Sequence, residues 1–177
     1  MMEEQHEKLL DTIGRKILSE LQLNARIPFA ELGRRVGLST PAVMDRVRKL
    51  EEVGIIEGYK AVINTTRLGY PILAFIGVNV PGDVMTRFTT QVRRIARVIE
   101  CHRVTGSHSF LLKVLATSVT ELEQVIDMLT PYTETTTYLV LSTAFSTKAI
   151  DSKDDVLEGA LPKSSKGSRL SGQARIK

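Results

Sequence analysis

The sequence predicts an α+β chain in two unlike parts, and three observations carry that prediction. Residues 1–63 repeat apolar side chains at helical spacing in three short stretches. Residues 72–150 alternate β-rich runs with two further helical patterns. Between them, 64–71 (Asn64-Thr65-Thr66-Arg67-Leu68-Gly69-Tyr70-Pro71) is polar and punctuated by Gly and Pro, as a linker is. Residues 151–177 form a fourth, basic, Ser/Gly/Lys-rich segment with too little apolar content to order itself.

In the first part, Leu10, Ile13, Ile17 and Leu21 predict one helix from about Glu7 to Leu23, ended by Asn24-Ala25-Arg26. A second, from about Phe29 to Val36, turns Phe29, Leu32 and Val36 inward and Arg34 and Arg35 outward. Val36-Gly37-Leu38-Ser39 then has the length of the connector in a helix-turn-helix. The third helix runs from Ser39 to Glu52. Ser39 suits the N-cap, where its hydroxyl can accept from free backbone amides, and Pro41 falls in the first turn, where a missing N–H costs nothing. Val43, Val47 and Leu50 recur at i, i+4 and i+7 and make the buried stripe. Pro41, Met44, Asp45, Arg48, Lys49 and Glu52 point away from it, with Arg46 on the border, its stem packed and its guanidinium reaching out. Such a face, small, apolar and basic after a tight turn, suits a helix that enters a DNA major groove. After Gly54, residues 55–64 are β-rich around Gly58 and predict either a small wing or an extended connector, from which Tyr59 and Lys60 could reach phosphates.

The second part predicts a strand over Ile72–Val80 and a turn, Pro81-Gly82-Asp83, whose Asp caps a helix reaching about Arg97. Strands follow at Val98–Thr105 and Phe110–Ala116, joined by the tight loop Gly106–Ser109. A Thr120…Glu123 capping box opens a helix carrying Leu122, Val125, Ile126 and Leu129, which Pro131 stops, and Thr135–Phe145 is the last strand. The order β-α-β-β-α-β is the ferredoxin-like arrangement. The whole is a winged helix-turn-helix followed by a ferredoxin-like domain.

Hydrophobic residues make up 42% of the 177, enough for cores of ordinary size. No apolar run approaches the roughly 20 residues of a membrane span. The acidic N-terminus is unlike a signal peptide, and the lone Cys101 excludes an intrachain disulfide, so a cytoplasmic, nucleoid-associated protein is expected. The net charge of +4 belongs to the tail: from Ala160 onward there are five bases and no acid, leaving the rest slightly acidic. DNA binding is therefore expected from the local cluster of Arg34, Arg35, Arg46, Arg48 and Lys49, opposed within 34–49 by Asp45 alone. Ser39, Thr40, Pro41, Met44 and Lys60 complete the expected interface. Met44 could meet a thymine methyl and Asp45 could accept from cytosine N4. Symmetric pairing would double the base contacts of a single helix, and the apolar residues Leu73, Phe75, Leu139 and Leu141 are expected to cover a partner's sheet.

Taken together, Ile17-Leu18, Asn24-Ala25-Arg26, Glu31-Leu32, Val36-Gly37-Leu38-Ser39, Ala42-Val43, Arg46-Val47, Leu50-Glu51, Gly54-Ile55-Ile56, Gly58-Tyr59, Glu100-Cys101-His102 and Thr105-Gly106 resemble the Lrp/AsnC family of transcription regulators, from Leu10 to about Ile150. The resemblance implies a dimer on pseudo-palindromic double-stranded DNA, often assembling further, with a small-molecule effector, usually an amino acid, held by the C-terminal domain. It places the effector site at Gly106, Ser107, His108, Ser109, Thr135 and Thr137. Two departures stand out. Gly14 occupies a mid-helix position where the family usually has an acid. The family's Gly-Asp-x-Asp loop is here Gly106-Ser107-His108-Ser109, which offers hydrogen bonds but no counter-charge to an ammonium group. A neutral or anionic metabolite, or no ligand, is expected instead. No cofactor or metal is expected: Cys101 and His102 are adjacent on a strand and face opposite sides. Two other classes compete with this reading. A haem-precursor decarboxylase-like enzyme would not need the basic face and would show a Soret band on loading. An architectural nucleoid protein would cover DNA evenly rather than at discrete half-sites.

Overall fold

The computed structural model describes residues 8–150; expectations for the first seven residues, including a helix start at Glu7, and for the tail lie outside them. The chain forms two compact units, one of residues up to Lys60 together with the segment from Thr147, the other Ala61–Ser146. No helix among the described residues is long and apolar enough to cross a membrane.

The first unit contains α1 (Thr12–Leu23), α2 (Phe29–Val36) and α3 (Thr40–Glu52). Ile17, Leu21, Ile27, Leu32, Val36, Val43, Val47 and Leu50 are buried in one cluster, each side chain contributing on the order of 1.5–3 kcal/mol by leaving water. The first helix is not the single element that its apolar period suggests. Lys8 and Leu9 are helical, Leu10 and Asp11 interrupt, and α1 starts afresh with Asp11 as N-cap accepting from the Gly14 amide at 2.8 Å. Gly14 now has a reason. A Cβ there would stand 1.8 Å from the Leu9 carbonyl oxygen, so the tight break requires glycine. Phe29 also departs from expectation: it is 38% exposed, while Leu32 and Val36 are buried as expected. Residues 55–64 pair with no strand, so the connector rather than the wing is what forms. The segment from Thr147 is held by Gln22, whose side-chain amide donates to the Ile150 carbonyl (3.2 Å) and accepts from its N–H (2.8 Å).

The second unit is a four-stranded antiparallel sheet in the order β2-β3-β1-β4, with β1 Ile72–Val78, β2 Val98–Arg103, β3 Phe110–Ala116 and β4 Thr135–Leu139. Two helices, α4 (Met85–Val92) and α5 (Val119–Leu129), cover one face. Strict alternation along β3 buries Phe110, Leu112, Val114 and Ala116 against Phe88, Val92, Leu122, Val125 and Leu129. Two helix starts differ from the sequence expectation. Asp83 lies in a single 3-10 turn (Gly82–Val84) and does not cap α4. The capping box of α5 is Ser118…Glu121: Ser118 accepts from the Glu121 amide, and the Glu121 carboxylate accepts from the Thr117 amide at 2.6 Å. Strands β1, β2 and β4 end earlier than expected, and β2 carries a bulge between Val98 and Glu100.

Candidate nucleic-acid interface and effector region

Helix α3 is set by its turn. Gly37 takes a left-handed conformation (φ 76°), which glycine adopts without strain, and Ser39 then caps α3 by accepting from the Ala42 amide at 3.4 Å. Thr40, Pro41, Met44, Arg48 and Lys49 are exposed along the outward side, with Asp45 partly so, as the periodicity demands; Lys60 is exposed on the connector.

The charged residues are already arranged among themselves. Asp45 lies between two bases, accepting from Arg48 (3.0 Å) and pairing with Lys49 (2.7 Å), and these contacts hold its carboxyl below the ordinary range, Lys49 most strongly. Arg34 pairs with Glu31, and Arg35 links Glu31 (2.9 Å) to Glu20 of α1 (2.7 Å). These are exposed ion pairs, which contribute little on their own and exchange readily for phosphate. Arg46 is different. Its side chain is 22% exposed, against 66% for Arg48, and its guanidinium pairs with the N-cap Asp11 and donates to the Lys8 carbonyl. The guanidinium does not reach outward; it clamps α3 to the start of α1. At the end of α3, Tyr59 donates to Glu51 at 2.8 Å, and burial, then this hydrogen bond, push its phenol up to about 12.

In the second unit the β2–β3 loop is braced from β1. Ser109 accepts from the Val80 amide through its hydroxyl (2.7 Å), and its own amide donates to Val78 (2.9 Å). Asn79 donates to the Ser107 carbonyl (2.7 Å), and the Thr133 hydroxyl accepts from the Asn79 amide. Asn79 was not singled out from sequence, yet it ties both ends of this region. The His108 ring lies over Gly77, where a Cβ would come within 2.4 Å of it, and stands edge-on to Tyr138 with centroids 6.4 Å apart.

Register then divides the expected effector residues. Thr135 and Thr137 face Val78 and Ile76 on β1, both in the helix-covered core; Gly77 faces Thr136, and Phe75 faces Tyr138, on the other side. Within one chain, His108 and the two threonines therefore lie on opposite faces of the sheet. The same register places Leu139 opposite core-facing Ala74, so Leu73 and Phe75 share their open face with Tyr138 rather than with Leu139. Arg97, which lies beyond the end of α4, pairs with Glu121 (2.5 Å), donates to the Tyr70 hydroxyl (2.9 Å) and lies over its ring. Cys101 faces Leu112 and His102 faces Leu111, on opposite sides of β2. His102 lies 3.2 Å from Glu100, which also holds Lys113.

A helix-turn-helix whose third helix exposes Arg48 and Lys49, joined to a ferredoxin-like unit, is the architecture of a DNA-binding protein. Residues 10–51 match the AsnC-type helix-turn-helix domain and residues 73–150 the Lrp/AsnC ligand binding domain. The chain belongs to the Lrp/AsnC family of DNA-binding transcription regulators. It is 33% identical to the HTH-type transcriptional regulator LrpC of Bacillus subtilis over 133 residues, 75% of this chain and 92% of that one. It is 42% identical to the leucine-responsive regulatory protein of Escherichia coli over 109 residues, 60% of this chain and 66% of the relative. Its fold is similar to that of a transcriptional regulator from Neisseria meningitidis solved as an L-Met complex, with TM-score 0.76 and 29% identity over 80% of this chain and 96% of the other.

Proposed function

We propose that the chain binds pseudo-palindromic duplex DNA as a dimer or higher oligomer, in the cytoplasm, and acts through binding rather than catalysis. The observation that carries this reading is the outward side of α3, where Met44, Arg48 and Lys49 stand exposed. Met44, Asp45, Arg48 and Lys49 face base edges. Arg34, Arg35, Ser39, Thr40 and Lys60 contact the phosphate backbone, which fixes register without reading sequence. Asp45 releases Arg48 or Lys49 as it turns to a base. Arg46 supports the interface from behind by its pair with Asp11. Pairing uses the open face of the sheet, which carries Leu73, Phe75 and Tyr138.

The loop 106–109 suits a neutral or anionic metabolite, or no ligand, better than an amino acid. It carries no carboxylate, and the Ser109 hydroxyl is committed to the β1 backbone. Footprinting tests the DNA reading: protected half-sites about 10 base pairs apart, or multiples of that, support it, while even coverage would favour an architectural protein. Thermal melting against common amino acids, organic acids and nucleobases tests the ligand class. Strong stabilisation by an aliphatic amino acid would overturn the reading based on the missing aspartates.

A further inference from the structure

Beside the charged residues of the α3 face lies a recess that the charge pattern does not explain. It has a volume of about 490 Å³ and is lined by the apolar side chains of Phe29, Pro41, Met44 and Val47 together with Asp45, Arg48 and Glu51. Phe29 comes from the first position of α2, outside α3, and exposes 38% of its surface; Met44 exposes 48%. A monomeric domain gains nothing by leaving a phenyl ring and a thioether in water beside α3. In the unbound chain its acids already have partners: Asp45 pairs with Arg48 and Lys49, and Glu51 accepts from the Tyr59 hydroxyl. What remains open is apolar.

The apolar group that a base pair presents in the major groove is the thymine 5-methyl. We propose that Phe29, Pro41 and Met44 form a receptor for thymine 5-methyl groups, which makes Phe29, a residue outside the recognition helix, a determinant of sequence specificity. This rests on the reading that α3 enters the major groove. The flanking bases then have a defined task. Arg48 and Lys49 hold the phosphates or a neighbouring guanine while the recess tests for a methyl group that cytosine lacks at the same edge.

The experiment removes thymine methyls while keeping the base pairing unchanged. Binding sites are selected by the full-length chain from a random duplex pool. The selected pool is then amplified with deoxyuridine triphosphate in place of thymidine triphosphate, and affinity for both pools is measured by fluorescence anisotropy. Burying one methyl gives about fourfold, so two half-sites give a preference of about fifteenfold for the thymine pool. Phe29→Ala and, independently, Met44→Gln, each checked by circular dichroism for an intact fold, reduce that preference towards unity. Equal affinity of the unaltered chain for both pools, with a sequence motif still enriched, would overturn the recess while leaving DNA recognition by α3 intact. An undiminished thymine preference in both variants would place the methyl contact elsewhere and overturn it as well. Failure to enrich any motif would remove the recognition reading and the recess together.

Discussion

Asp11 joins two contacts in one carboxylate, and separating them tests whether Arg46 is a clamp or a DNA contact. Asp11 caps α1 through the Gly14 amide at 2.8 Å and pairs with Arg46 of α3. Losing a side-chain N-cap costs about 1 kcal/mol. The ion pair involves a carboxylate 45% exposed, so solvent limits it to about 1 kcal/mol at most. Asp11→Ala should therefore cost about 2 kcal/mol and lower the melting temperature of the helical unit by roughly 8–16 °C, at about 4–8 °C per kcal/mol for a unit of this size. Asp11→Asn keeps the capping oxygen and should lose about half as much. The pH dependence has a defined sign. The Gly14 hydrogen bond foremost, and then Arg46, hold the Asp11 carboxyl below its ordinary 3.8. Its contribution is thus full above that value in the unaltered chain and disappears as pH falls through the depressed folded value. Asp11→Ala lacks that dependence. Calorimetry of the full chain across pH measures the stability, and a binding assay at 25 °C measures DNA affinity. If Arg46→Gln lowered DNA affinity while leaving the melting temperature unchanged, the clamp assignment would be refuted.

Three further outcomes are expected. Glu121, held down to about 2 by the Thr117 amide and then by Arg97, stabilises the sheet unit above its ordinary 4.5 and loses that effect as pH falls towards 2, so Glu121→Gln should flatten the acid limb of a pH-melting series. Arg48→Ala should weaken operator binding by about fivefold to 150-fold if Arg48 reads a guanine. If it contacts only phosphate, titration against salt should show a loss uniform across sequences and a slope shallower by about one unit. Ser109→Ala leaves the Val80 amide without its 2.7 Å acceptor and should destabilise the unliganded protein by about 1–3 kcal/mol in denaturant unfolding. An unchanged midpoint would show that water replaces the hydroxyl.

Much of this was legible in sequence because periodicity survives folding. The buried stripe of Val43, Val47 and Leu50, the Ser39 cap and the β-α-β-β-α-β order all follow from local spacing. The failures have a common cause in contacts made across the chain. Leu10, Ile13, Ile17 and Leu21 keep helical phase through the break at Asp11, so their period cannot reveal it; the Asp-then-Gly pair at 11 and 14 was the available signal. Arg46 looked outward because its partner lies 35 residues upstream. Two Ser/Thr-x-x-Glu frames overlap at 118–123, and only the contact of Glu121 with Thr117 and Arg97 selects the first. The separation of His108 from Thr135 and Thr137 depends on the register of β1 with β4 and on how a loop folds back, neither of which alternation along one strand can supply.

The glycine beneath His108 has an evolutionary corollary. With the ring seated over residue 77, any side chain added there meets the imidazole before it meets solvent. The two positions therefore form one mutational unit with a preferred order of change. A lineage can shorten residue 108 first and then place alanine at 77 without obstruction, whereas the reverse order passes through a displaced ring. Gly77→Ala should consequently be harmful beside histidine and tolerated beside His108→Ser, and a double-mutant cycle on thermal stability would measure that sign of epistasis directly.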